Sequence, residues 1–135
     1  MDGLIVKRQW IDLILSGKKT LEIRGSDTKK VGEAIYLLES GTHRVRGKCR
    51  ICSTHPISCS NWSEEYKKHC VDITYAELKK IYKNPHAWEL TEVEPIKTAW
   101  YYNHPKGAVI WVKDVNPLLV VDKYEQLKEK SKQYI

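Results

Sequence analysis

Between residues 17 and 24 the chain reads Gly17-Lys18-Lys19-Thr20-Leu21-Glu22-Ile23-Arg24, with apolar and ionisable side chains alternating directly after a glycine. Side chains on a β-strand point to opposite faces in turn. This order therefore puts Leu21 and Ile23 on one face and Thr20, Glu22 and Arg24 on the other, with Lys19 opening the apolar side from its edge. A solvated strand edge would not need that order. The preceding residues, Gln9 to Ser16, read as a helix with Trp10, Leu13 and Ile14 on one face and Gly17 as its C-terminal stop. Glu22 and Arg24 on a shared face admit two readings: an ordinary ion pair worth about 0.2–1 kcal/mol, or part of a functional cluster with Lys19.

The rest of the chain supplies more strands than helices. Leu4-Ile5-Val6 is a short buried strand, Gly25 to Gly32 a polar loop carrying Lys29 and Lys30, and Glu33 to Glu39 a further strand ending at the turn Ser40-Gly41-Thr42. Asn61 to His69 and Thr74 to Tyr82 read as two short helices. The second is opened by the capping box Thr74-Tyr75-Ala76-Glu77, and its stripe of Tyr75, Leu78, Ile81 and Tyr82 reads as core. His86 to Leu90 begins a strand that carries Val93 and Ile96 and bends at Pro95. Trp100 to Gly107 reads as a ring-rich loop. Ala108 to Val112 reads as a strand too continuous to face water on either side. A charged helix follows over 122–133. No regular strand-helix-strand repeat appears, so the chain is α+β: a small mixed β-barrel of about five to six strands with short flanking helices. At 135 residues it fits a single domain, residues 1–135, with 115–135 a C-terminal helical extension.

From His43 to Ser53, Arg44, Arg46, Lys48 and Arg50 alternate with Val45, Gly47, Cys49 and Ile51. Period 2 places all four cations on one face of one strand. That geometry suits a phosphate backbone and equally suits the solvated outer face of a barrel. A net charge of +6 favours polyanions as partners. The 5 Trp and 8 Tyr, with no Phe, supply large rings that carry polar tips, suited to a cleft or to a core. Cys49-Arg50-Ile51-Cys52 has C-x-x-C spacing, but residues three apart on a strand point to opposite faces and the second half of a zinc motif is missing. With no membrane span and no secretory signal in the sequence, the expected location is cytoplasmic, with reduced thiols.

The stretch Trp10 to Arg24 resembles the signature of the ASCH domain (activating signal cointegrator homology), G-x-K-x-x-E-x-R after a short helix, here filled by Gly17, Lys19, Glu22 and Arg24. Gly47, Ala87-Trp88-Glu89-Leu90 and the run His104 to Val112 are similar to stretches of bacterial stand-alone members, so the likeness spans residue 4 to about 113. The resemblance implies a fold similar to the PUA domain, with a cleft beside the signature strand. It also implies nucleic-acid binding and, in some branches, catalysis. One branch removes the acyl group from N4-acetylcytidine with a lysine, a threonine nucleophile and a glutamate; another is a ribonuclease. This sequence keeps the lysine as Lys19, has Glu22 where the threonine stands, and has Val71 near the place of the glutamate.

The function expected from these observations is binding of RNA, single-stranded DNA or a nucleotide, a modified one included, in a basic, aromatic-lined cleft. Lys18, Lys19, Thr20 and Arg24 would meet the ligand's acceptors, Glu22 would accept a donor or hold Arg24, and Arg44, Arg46, Lys48 and Arg50 would follow the backbone. Trp88, Tyr102, His104 and Lys106 would frame the base. The alternative is an enzyme on a nucleoside or RNA, a ribonuclease or an amidohydrolase on N4-acylated cytidine, with Lys19 and Glu22 as its catalytic groups. No cofactor or resident metal is expected, with a divalent ion entering only for a nuclease. The oligomeric state is left open.

Overall fold

The computed structural model describes residues 1–118, so the helix expected over 122–133 lies outside the described residues. Among the described residues the elements run β1 (Gly3–Val6), α1 (Arg8–Leu15), β2 (Leu21–Arg24), β3 (Ala34–Glu39), β4 (Arg44–Pro56), α2 (Cys59–Glu64), α3 (Tyr66–His69), α4 (Tyr75–Ile81), β5 (His86–Tyr102), β6 (Trp111–Val112) and β7 (Pro117–Leu118). They form one mixed sheet in the order β2-β5-β4-β3-β1-β6, with β7 added to β5. β1 is parallel to β3, and the remaining pairs are antiparallel. The sheet curls into a half-barrel flanked by short helices, the α+β architecture expected, with seven strands rather than five to six.

Curvature comes from β4 and β5. Their long ladder shifts register between Val45 and Gly47, Lys48 and Arg50, and Ile51 and Ser53, and each irregularity adds local bend and twist. β5 is long enough to serve three partners, pairing β2 through His86 to Glu89, β4 along most of its length, and β7 at Tyr101 and Tyr102. Gly47 allows α1 to lie against this ladder, because a Cβ there would stand 2.6 Å from Leu15 and 2.8 Å from the Glu94 carbonyl oxygen.

α1 buries Ile11 and Ile14 in a core with Leu4, Val6, Ile35, Leu37, Cys49, Ile51, Trp88 and Leu90. It stops at Gly17, whose φ of +85° is open to glycine and strained for most residues. A second cluster, Leu21, Ile23, Ile57, Trp62, Leu78 and Ala87, joins β2 to the helical insertion.

Three expectations fail locally. The single helix over 61–69 is two short helices, interrupted at Glu65 (φ −97°, ψ 12°), whose carboxylate meets His55 Nε2 at 2.8 Å. Trp100 to Tyr102 belong to β5 rather than to a loop, Trp100 opposite Val45 and packed edge-on against Tyr36. The run from Ala108 is strand only at Trp111 and Val112: the turn at Pro105 to Ala108, with Gly107 at φ +86°, delivers Val109 and Ile110 to the surface, 76% and 49% exposed. An apolar run states that some side chains want burial, not which neighbours exist to cover them.

Candidate functional site

β2 is an edge strand paired to β5, and the alternation read in the sequence is obeyed: Leu21 and Ile23 enter the second core cluster while Glu22 and Arg24 turn the other way. Beside them lies a cleft of about 480 Å³, within the size range of small-ligand sites. Its floor is Lys19, Glu22 and Arg24. Its walls are Ile5 and Lys7, Gln9 and Trp10 of α1, Ile23, Ser40 after β3, Val71 and Ile73, and Leu78, Ile81 and Tyr82 at α4, together with Val109.

The floor is buried: Lys19 is 1% exposed and Glu22 4%. Instead of opening the apolar side at an edge, Lys19 points its ammonium inward, where Nζ donates to the His69 carbonyl oxygen at 2.5 Å, sits 3.8 Å from Glu22 Oε1 and lies 4.8 Å from the centre of the Trp10 ring. Glu22 Oε1 accepts from the Ile23 amide at 3.2 Å, and Oε2 accepts from Arg24 Nη2 at 3.0 Å. Arg24 Nη2 also donates to the Ile5 carbonyl oxygen at 2.9 Å, tying β2 to β1, which is not its sheet neighbour. Burial pushes the Lys19 ammonium below its ordinary pKa, and Glu22 opposes that shift.

Two cations and one carboxylate leave the floor positive and rich in donors. Lys19 carries three N–H bonds and uses one at hydrogen-bond distance, while Glu22 already has acceptances on both oxygens. Such a floor suits an anionic or carbonyl-bearing ligand. It suits a metal ion poorly, and among the described residues no group of three or more His, Cys, Asp or Glu is placed to hold one. Cys49 is buried and Cys52 exposed, as opposite faces of β4 require.

The remaining sequence-predicted residues lie elsewhere. Lys18 and Thr20 are exposed, and the Thr20 backbone is engaged with Lys68 and Leu90. None of Arg44, Arg46, Lys48 and Arg50 lines the cleft. Arg46 bridges the buried Glu39 and Asp12, Lys48 meets Glu94 at 3.3 Å, and Arg50 holds Glu92 at 2.6 Å and the Gly32 carbonyl. Trp88, expected as a stacking ring, is 2% exposed. Its Nε1 donates to the Ser26 carbonyl, its ring stacks on Trp111, and the Arg24 guanidinium lies over it at 5.9 Å, so it backs the site from within the core. Tyr102 is likewise buried, its hydroxyl on His104 Nδ1 at 2.7 Å. His104 Nε2 donates to the Ala108 carbonyl in a separate cavity of about 250 Å³, and Lys106 is exposed nearby.

Sequence reasoning missed Trp10 and Tyr82, read as helix core stripes, and the wall of Val71 and Ile73. Trp10 and Tyr82 do pack on core, but each also lines the cleft; Tyr82 lies so close to Gly25 that a Cβ there would stand 2.7 Å from its ring. No periodicity separates a core ring from one at the lip of a pocket.

In comparisons with known proteins, no curated protein matches the chain. Crystal structures of the ASCH protein from Zymomonas mobilis share the fold. The unmodified protein matches with a TM-score of 0.61 at 14% identity over 94% of this chain and 93% of that one. A point variant of it gives a TM-score of 0.63 at 13% identity, covering 94% of each chain. The model of the ASCH domain matches residues 4–100, a span that contains the Gly17, Lys19, Glu22 and Arg24 signature and the strands that carry the cleft, and the chain belongs to the ASCH domain family.

Proposed function

We propose that the cleft binds one nucleotide unit of RNA or single-stranded DNA. The observation that carries this reading is the buried Lys19–Glu22–Arg24 floor under an open, ring-edged pocket. It is a fixed donor array at low dielectric, where charge-assisted hydrogen bonds to a phosphate or base carbonyl are strong. Trp10 and Tyr82 offer the faces or edges against which a base would pack, a contact worth about 1–3 kcal/mol per base with little regard to sequence. Preorganisation supports the reading as well: Trp88, Ile5 and His69 hold the floor before any ligand arrives.

One observation favours a second reading, an enzyme on nucleosides or RNA: burial pushes the Lys19 ammonium below its ordinary pKa, so it gives up its proton more readily than a solvated lysine does. Against it, neither position that a threonine–glutamate pair would occupy carries the group such hydrolysis needs: Glu22 stands in place of the threonine and Val71 near the place of the glutamate, and Thr20 is exposed. Mass spectrometry of N4-acylated cytidine and of short RNAs after incubation, with and without divalent ions, separates the readings, and ligands returned intact are expected.

The direct test is fluorescence anisotropy of labelled single-stranded RNA, single-stranded DNA and duplex over a salt series. Lys19→Met, which keeps the stem and removes the charge, is expected to weaken single-strand binding at least tenfold, about 1.4 kcal/mol, and to lower the salt slope by about one. Unchanged affinity and slope would remove Lys19 from the interface and the reading with it.

A further inference from the structure

The mouth of α3 and the residues just after it form a clamp on the cleft that the nucleotide reading alone does not explain. Two successive carbonyls at the end of this helix grip the start of the signature strand: the Lys68 oxygen accepts from the Thr20 amide at 2.9 Å, and the His69 oxygen accepts from Lys19 Nζ at 2.5 Å. The segment then turns sharply, with Cys70 in the left-handed region at φ 61°, and runs out as the cleft wall at Val71 and Ile73.

What fixes this turn is the His69 ring, a buried polar group at 1% exposure. Its Nε2 lies 2.8 Å from the Trp62 carbonyl oxygen, and its Nδ1 accepts from the Val71 amide at 2.9 Å. A carbonyl can only accept, so Nε2 must carry the hydrogen. An amide N–H can only donate, so Nδ1 must be bare. One tautomer of the neutral ring satisfies both partners. The imidazole stacks flat on Trp62, 3.8 Å between centres and 9° between planes, with Tyr66 edge-on against it. Trp62 completes the clamp by donating from Nε1 to the Ile73 carbonyl at 2.8 Å, so the stacked pair holds the backbone of both wall residues.

We propose that His69 is a positioning residue of the cleft, that its neutral Nε2–H form sets both the Lys19 ammonium and the Val71 wall, and that a proton on Nδ1 releases them. The added hydrogen would face the Val71 N–H, donor against donor, with no room for solvent. Burial is the main resistance to that proton and the hydrogen bond to the Trp62 carbonyl favours it, while the charges around the ring divide. Lys19 on β2's approach opposes it, Glu65 between α2 and α3 favours it while engaged with His55, and the remaining neighbours, Trp62 of α2 and Tyr66 of α3, are neutral rings. Grip on a nucleotide therefore weakens in mildly acidic solution. This consequence rests on the nucleotide reading, whereas the clamp itself does not.

Two measurements test it. In protein with ¹⁵N-labelled imidazoles, long-range ¹H–¹⁵N spectra from pH 8 to 4.5 are expected to show His69 as the Nε2–H tautomer, titrating below the ordinary imidazole range, with the Val71 amide and the Lys19 ammonium shifting at the same midpoint. An Nδ1–H tautomer, a His69 that does not titrate in this range, or a titration that leaves Val71 and Lys19 unmoved would overturn the proposal without reference to any ligand. Anisotropy with oligouridine, whose bases do not titrate here, is expected to give a Kd constant above that midpoint and rising tenfold per pH unit below it. His69→Asn, which keeps an acceptor near the Nδ1 position and cannot be protonated, is expected to abolish the step, while His55→Gln retains it. A step that persists in folded His69→Asn overturns the proton-sensitivity. Failure of every oligonucleotide to bind at any pH would defeat the nucleotide reading and leave the spectra to decide the clamp.

Discussion

β2 and β4 are written in the same sequence grammar and do opposite things. Each alternates ionisable with apolar residues at period 2, and within each strand the ionisable side chains share one face. On β2 that face turns into a cleft, where Glu22 is almost wholly buried and meets the equally buried Lys19 from just before the strand. On β4 it turns outward, where Lys48 and Arg50 are 49% and 42% exposed and carboxylates from other strands neutralise them. Periodicity assigns faces; it does not say what the face meets. The pairing of charges differs as a result. The β2 floor has two cations for one carboxylate and keeps donors in reserve, whereas Arg46, Lys48 and Arg50 of β4 each have an acidic partner.

The sharpest way to break this contrast is to remove the carboxylate of the floor. Glu22→Ala leaves two cations facing each other with little solvent, and the expected loss of unfolding free energy is about 3–5 kcal/mol at pH 7 by urea denaturation. Because burial already favours the neutral amine of Lys19, the loss should shrink as pH rises toward 10. Lys19→Met in the same background should recover much of it. A loss below about 1 kcal/mol would mean the floor behaves like the ordinary surface pair that the sequence alone allowed.

Arg46 tests the contrast from the other strand, since it is the one β4 cation drawn into a buried network. Its guanidinium joins Glu39, 1% exposed, to Asp12 of α1, with Arg8 a more distant and exposed partner of Glu39 at 3.6 Å. Arg46→Ala is expected to cost about 2 kcal/mol in the same denaturation measurement, with part returned by Glu39→Gln, because the variant strands a buried carboxylate. Oligonucleotide affinity and salt slope should stay as they were, and a slope that falls would place Arg46 on phosphate after all.

The alternation that made β2 and β4 visible is a local property, and local properties were legible. The helix stop at Gly17, the split of Leu21 and Ile23 from Glu22 and Arg24, the Thr74 cap on Glu77 and the mixed α+β architecture all follow from residues a few positions apart. Partners were not legible, because they are distant in sequence. Glu39, Glu92 and Glu94 neutralise β4 from two other strands, the His69 carbonyl reaches Lys19 from 50 residues away, and Ser26 takes the Trp88 indole into the core from 62 residues away. Rings were the least legible of all. Trp10, Trp88 and Tyr102 have the same affinity for burial, and only the tertiary arrangement puts one in the wall of a pocket and the others inside the core.

The inward half of β4 gives an effect that is absent near neutral pH and readable only in alkaline solution. Cys49, 3% exposed in the main core, has its thiol pushed from 9.0 to about 12, first by burial and then by Glu22. A native pKa above the unfolded value means the folded state holds the proton longer. Cys49 therefore contributes its full stability below pH 9 and loses about 1.4 kcal/mol per pH unit between 9 and 12. Lys19 titrates with the opposite sign, so the measurement is a difference. The alkaline fall in stability should be shallower in Cys49→Ala than in the parent chain by that amount, and equal slopes would show that the thiol ionises in place.

The least effect is expected where the two strands look most alike. Lys48 of β4 and Lys19 before β2 are both lysines beside a glutamate, at 3.3 and 3.8 Å, and a list of ion pairs would rank Lys48 first. Exposure reverses the order. Lys48 and Glu94 face each other across the β4–β5 ladder with side chains 49% and 64% in solvent, where water screens the charges and holding two long side chains costs entropy. Lys48→Ala should therefore change the urea midpoint by the equivalent of less than about 0.5 kcal/mol and leave the salt slope of single-strand binding untouched. Should that slope drop by about one while stability holds, a phosphate contacts β4 as well. The bound strand would then run from the cleft around the outside of the sheet, and the carboxylates opposite the stripe would be partners that nucleic acid displaces rather than the end of its electrostatic role.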